Sequence, residues 1–175
     1  NTGPNAITDK AATLGRVLFY DKNLSTNNTI ACASCHKQEF AFGDTATASL
    51  GVENGRTVRH SMRLINTRYA NEAKFFWNER AASLEAQTTM PIVDHLEMGF
   101  SGQTGRGTIT SLITKLNGIG YYKELFTLAY GDATITEARM QTALAQFIRS
   151  IQSFDSKYDI GRAQVGNDAA PFPNF

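Results

Sequence analysis

Two cysteines, one tryptophan and four prolines are all that the 175 residues hold of those types, and each shortage narrows what the chain can be. Cys32 and Cys35 lie three positions apart. A disulfide across so short a loop removes almost no chain entropy, so a structural staple is a poor reading. A structural zinc site wants four ligands, and there is no second ligand pair at close spacing. No apolar run approaches the roughly 20 residues that a membrane helix needs, so no membrane span is expected. Charge of neither sign prevails, with a formal net charge of +1 and 19% charged residues, and nothing asks for nucleic acid. At 42% hydrophobic residues, the composition is that of an ordinary soluble domain, long enough for one core. A methionine start is also lacking. Asn1 opens the chain, which leads to the expectation that an N-terminal segment is removed, by export processing or in preparation.

What is present is concentrated in "CASCHKQEF", Cys32 to Phe40, where both thiols fall within four residues and His36 follows the second. A thioredoxin-like C-x-x-C would sit beside a βαβ pattern, whereas the surroundings here are helical. C-x-x-C-H fits covalent haem attachment: one turn of chain offers both thiols to the haem vinyl groups and holds His36 to the iron as proximal ligand. The expected cofactor is one haem c. Its attachment takes place on the exported side of a membrane, so a periplasmic location is expected.

The rest of the pattern is that of a helical container. Residues from Ile7 to Tyr20 place Leu14, Val17 and Leu18 on one face, with Thr8 as N-cap and Gly15 as a point where another helix can come close. Met140, Leu144, Phe147, Ile151 and Phe154 recur at steps of four and three, and Thr134 with Glu137 reads as a capping box ahead of them. Shorter helices are expected over Ala81 to Thr89, Ser111 to Leu116 and Tyr121 to Ala129, stopped by Pro91, Asn117-Gly118 and Gly131. Strand alternation is nowhere sustained, and no internal repeat is visible. The segment Lys37 to Arg59, rich in Gly, Thr and Ala, suits a loop folded over a cofactor. The expected fold is all-α, a cytochrome c-like helical domain wrapped around one covalently attached haem. It is expected to occupy residues 1–165, with 166–175 a linker or C-terminal extension.

"LGRVLFYDKNLS" leading into "CASCH", then "FFWNERAASLEAQ" and "PIVDHLEMGF", resemble the N-terminal, peroxidatic half of bacterial di-haem cytochrome c peroxidases and the related MauG enzymes. The resemblance runs from about Leu14 to Phe154. It implies reduction of hydrogen peroxide to water, with electrons from a small cytochrome or cupredoxin or from a second haem domain, whose own C-x-x-C-H does not occur here. By the same resemblance Glu97 falls on the distal glutamate that handles protons, Gln87 on a distal-side glutamine, and Trp77 on a tryptophan thought to pass electrons between haems. Taken alone, Glu97 would be a solvated acid, Gln87 a surface residue and Trp77 core packing.

Two departures from the family pattern matter. Many members carry a second histidine ligand in the loop after the haem motif, and Lys37 to Arg59 has no histidine, which implies an open or water-bound sixth position. Where relatives read Arg-Asn-Ser-Pro, with the asparagine helping to bind calcium, this chain has Arg59-His60-Ser61-Met62, which puts calcium in doubt. His60 and His95 remain as other ligands, His95 favoured by its nearness to Glu97, and Met90 or Met98 would serve in an electron-carrier cytochrome. That carrier, and a haem-based sensor half-domain, are the alternatives to a peroxidase.

Overall fold

The computed structural model describes residues 6–70, 74–103, 105–167, 169 and 171–174. Asn1 and positions 168, 170 and 175 of the tail lie outside the described residues, and with them parts of the expectations about both ends. Seven α-helices are found among the described residues: α1 (Asp9–Tyr20), α2 (Cys32–Cys35), α3 (Leu84–Val93), α4 (Ile109–Asn117), α5 (Gly120–Tyr130), α6 (Glu137–Ser150) and α7 (Lys157–Val165). Extended pairing there is limited to three isolated bridges. The fold is all-α, as the sequence pattern implies.

The frame is the pair α1 and α6, with α3 packed on α6 and α5 on α1. Thr8 caps α1 by accepting a hydrogen bond from the Ala11 N–H at 3.3 Å. The Thr8 N–H itself donates to Gln146 Oε1 at 2.8 Å, so the buried amide of α6 closes the start of α1. Gly15 is where the two helices touch. A Cβ there would lie 1.9 Å from the Ala143 carbonyl oxygen, so only a bare α-carbon lets the backbones meet. Leu14, Leu18 and Phe19 of α1, with Met140, Leu144 and Phe147 of α6, are buried around that contact. They join Ile92 of α3, Leu112 and Leu116 of α4, and Tyr122 and Phe126 of α5 in one core.

Four local expectations change. The cap of α6 is Thr136, whose hydroxyl accepts from the Arg139 N–H at 3.2 Å, not Thr134. The Thr134 carbonyl instead accepts from Arg139 Nη1 at 2.8 Å. Glu137 is the first helical residue and takes a hydrogen bond from Thr89 Oγ1 at 2.8 Å. The helix ends at Ser150, and Phe154 lies beyond it, 75% exposed, because the chain turns away at Ile151 to give its carbonyl to the Asn66 N–H. Pro91 does not stop α3, which runs to Val93. The proline's missing N–H costs the helix one hydrogen bond, but the carbonyls of Pro91 and Ile92 are taken by the N–H groups of Met98 and Phe100, at 3.2 and 3.0 Å. Last, α7 was not anticipated. Ser156 and Asp159 form its capping box, and Gly166, at φ 72°, closes it. Residues 171–174 lie back against it, with Phe172 against Tyr158 at 5.3 Å between ring centroids and Asn174 Nδ2 donating to the Lys157 carbonyl at 2.6 Å.

Candidate active site

The motif Cys32 to His36 forms one turn against α1. Ser34 Oγ accepts from the Ala31 N–H at 3.0 Å, and the His36 N–H donates to the Cys32 carbonyl at 2.9 Å. His36 Nδ1 lies 2.9 Å from the Phe42 carbonyl, a contact that favours the Nδ1–H tautomer, with Nε2 as the ligating nitrogen. Burial holds the imidazole below its ordinary pKa, against the opposing pull of the Phe42 and Met62 carbonyls and the Asp44 charge, and so favours the neutral ring. Phe42 can accept because Ala41 and Phe42 take left-handed conformations, at φ 56° and 58°, curling the chain back onto Lys37. Burial pushes the Cys32 thiol up to about 12, the neighbouring Cys35 and Glu97 adding to it, and raises Cys35 as well. Neither is a ready thiolate, which argues against thiol redox chemistry.

Glu97 reaches the same place from the turn after α3. Asp94 Oδ1 accepts from the N–H groups of Leu96 and Glu97, at 2.8 and 3.1 Å, and the Glu97 carbonyl accepts from the Val52 N–H at 3.0 Å. Burial, with the charge of Asp94 adding and Arg80 opposing, pushes the Glu97 carboxyl up to about 7.

Two cavities adjoin there. A narrow one of about 60 Å³ is walled by Phe19, Ile30, Leu144 and Ile148 and reaches Cys32, Cys35 and Met98. A wide cleft of about 890 Å³ opens towards the 57–67 and 74–80 segments. His36, Leu64, Gln87, Pro91 and Glu97 line both. Gln87 and Pro91, four apart on α3, present one face to that junction. Trp77 lines the wide cleft alone. It is not core packing: it is 59% exposed, and its Nε1 donates to the His60 carbonyl at 2.9 Å. A tight turn holds it, closed by the Phe75–Ala81 bridge, with Phe76 and Glu79 at φ 70° and 57°. The Arg80 guanidinium lies over the Phe76 ring at 3.5 Å.

Of the other candidate ligands, His60 lines the wide cleft, with Nδ1 on the Ala46 carbonyl at 2.8 Å. His95 lines neither cavity and pairs with Ser101 Oγ at 2.9 Å, so nearness to Glu97 in sequence does not bring it to the junction. Met98 is buried and lines the narrow cavity, whereas Met90 lines neither.

Among the described residues, no group of three or more His, Cys, Asp or Glu side chains is placed to hold a metal ion. Instead, one imidazole stands beside two thiols against apolar walls, the donor set of an iron held mainly by a macrocycle. The residues fit a haem c bound through Cys32, Cys35 and His36.

The sequence pattern of the family described as "Di-haem cytochrome c peroxidase" matches residues 9–165. This chain belongs to that family. The di-haem peroxidase family is one of haem c oxidoreductases, and two of its members set the scale of the likeness. Methylamine utilization protein MauG of Methylophilus methylotrophus is 34% identical over 155 residues, which cover 89% of this chain and 44% of that protein. Cytochrome c551 peroxidase of Nitrosomonas europaea is 30% identical over 148 residues, 85% of this chain and 42% of that one. The crystal structure of a MauG-like protein associated with microbial copper homeostasis superposes with a TM-score of 0.77 at 29% identity, covering 95% of this chain and 47% of that chain. The diheme peroxidase BthA from Burkholderia thailandensis shares the fold, with a TM-score of 0.76 at 22% identity, over 95% of this chain and 45% of its own. The chain thus spans less than half the length of these relatives.

Sequence reasoning missed Arg106, Glu53 and Asp94. Arg106 Nη1 donates to the His95 carbonyl at 2.9 Å, and Nη2 to Glu53 Oε2 at 2.7 Å. No local pattern points to these contacts, one of which spans 53 residues. Asp94 did carry a signal, since an Asp two and three residues ahead of the N–H groups it caps is an Asx turn.

Proposed function

We propose that this chain is the peroxidatic half of a di-haem peroxidase, reducing hydrogen peroxide to water at one haem c. Cys32 and Cys35 hold the haem covalently and His36 is the proximal ligand. Haem, when bound, supplies the iron and the electrons that split the O–O bond. Glu97 takes a proton from one peroxide oxygen and returns it to the other, so that the second leaves as water. Gln87 orients the peroxide by hydrogen bonding, and Trp77, at the open side of the cleft, carries electrons inward. These come from a small cytochrome or cupredoxin or from a second haem domain, to which 166–175 is the link. The location is the periplasm. No helix among the described residues is long and apolar enough to cross a membrane.

The observation that carries this reading is the junction of the two cavities, where His36 and Glu97 stand together. A carboxyl raised to about 7 is matched to giving and taking a proton near neutrality. Since the carboxylate is the base, the rate at which the ferric haem reacts with peroxide rises with pH through about 7. Stopped-flow absorbance at the Soret band from pH 5 to 9 tests this directly and needs no electron donor. Glu97→Gln removes the rise. A flat profile in the parent protein refutes the role given to Glu97.

One observation favours a second reading: Met98 lines the narrow cavity. An electron carrier with Met98 as sixth ligand has a low-spin ferric spectrum and does not bind azide. The peroxidase has a substantially high-spin one and binds azide without prior reduction.

A further inference from the structure

The backbone on either side of Glu97 is gripped from several directions. Gly51 lies so close that a Cβ there would stand 1.9 Å from the Leu96 carbonyl oxygen and 2.8 Å from that of Glu97, and one on Gly55 would be 2.9 Å from the Leu96 oxygen. Between these glycines the Val52 N–H donates to the Glu97 carbonyl at 3.0 Å. On the other side the Thr26 N–H donates to the Met98 carbonyl, also at 3.0 Å. Arg106 ties the two layers together. Its guanidinium binds the His95 carbonyl at 2.9 Å and the Glu53 carboxylate at 2.7 Å, with its side chain only 13% exposed. It passes over Gly99, at φ +88°, where a Cβ would stand 2.6 Å from Nη1.

The geometry points to Arg106 as a positioning residue for Glu97: by clamping the 51–55 loop onto the 95–97 backbone, it fixes where the carboxylate stands in the cavity junction. This rests on the proton-transfer role proposed for Glu97. Arg106 lines neither cavity and acts only through the peptide groups. A planar guanidinium can bond a carbonyl and a carboxylate at once in fixed directions, whereas an ammonium offers a single point charge. Misplacing a reacting group by about 1 Å costs on the order of a hundredfold in rate, so a clamp far from the chemistry carries a large kinetic effect.

The test uses the haem-loaded protein with Arg106→Ala and Arg106→Lys, each alone and together with Glu97→Gln. Two rates are read: the reaction of the ferric haem with peroxide, and the association of cyanide, which arrives as the protonated acid and must leave its proton behind. Arg106→Ala is expected to slow both by about tenfold to a hundredfold, with haem content and equilibrium cyanide affinity retained, and Arg106→Lys to recover part of the loss. In the Glu97→Gln background, Arg106→Ala adds no further slowing. A general structural role predicts the opposite, equal slowing in both backgrounds, and that result overturns the proposal. So does a parent-like rate for Arg106→Ala in a protein that Glu97→Gln slows. If Glu97→Gln itself has no effect, it is the proton-transfer role that fails. Should Arg106→Ala lose haem, Glu53→Gln, which removes the carboxylate anchor and leaves the arginine in place, carries the same comparison.

Discussion

The α1–α6 frame and the loops that carry Glu97 are held together by different forces. The frame meets backbone to backbone at Gly15 and is filled by aliphatic and aromatic side chains, so its stability comes mainly from burial. The loop side is held by backbone hydrogen bonds between residues 26, 52, 91, 92, 94 and 97–100. Ion pairs add to it at Lys37–Asp44 and Arg106–Glu53. Burial tolerates some repacking, whereas a hydrogen-bonded loop holds one geometry or none. The proposed chemistry sits on the part that has one geometry.

Substitutions on each side separate the two. The largest effect is expected from Glu97→Gln, a fall of about a hundredfold to ten-thousandfold in the peroxide reaction, with the melting midpoint and haem content unchanged. Gly15→Ala reverses that balance. Its methyl group meets the Ala143 carbonyl, so denaturant unfolding should show a loss of about 3 kcal/mol, while the molecules that remain folded react with peroxide at the parent rate. A peroxide rate that falls in step with stability would break the comparison. Arg149→Met, which strands the half-buried Glu85 carboxylate beneath it, should cost about 1–2 kcal/mol, between the values for surface and buried pairs. Burial raises the Glu85 carboxyl, and the pairing with Arg149 outweighs it and holds the group below its usual range. The pair's contribution is therefore complete at neutral pH and is lost on acidification through the lowered pKa. Stability measured from pH 7 down to pH 3 should thus converge for parent and variant. Smallest is the capping pair: Thr136→Ala should cost about 1 kcal/mol, and Thr134→Ala within about 0.5 kcal/mol of nothing, by thermal melting. Equal effects at the two positions would restore Thr134 as the cap.

What could be read from the sequence follows the same division. Thr8, Gly15 and the spacing of Leu14, Met140 and Leu144 gave α1 and most of α6, because burial leaves a period of three and four in the chain. Cys32, Cys35 and His36 stand out because the proposed attachment chemistry demands that spacing. The step from Ile151 to Phe154 kept the helical period while the chain had already left the helix, drawn off by the bond from Asn66. Ser156, Asp159 and Gly166 bore the marks of α7 but had no apolar stripe to draw attention. Arg106 and Gly51 had no local mark at all. Their partners lie 53 residues away in one case and in the 96–97 backbone in the other, and only the folded chain brings them together.

The closure of the frame also sets an order of events. Thr8 and Gln146, joined across it, are 138 residues apart in sequence. Contacts of that separation form late, because the loop between them must be closed before any of its contacts can reward the closure. The Cys32 to His36 turn, by contrast, is complete within five residues. It is therefore able to form on an unfinished fold, its thiols and imidazole open, before α6 has docked. When α6 docks, Leu144 and Ile148 close the narrow cavity against Cys32 and Cys35, so what that turn is proposed to hold can be put in place before the core is formed.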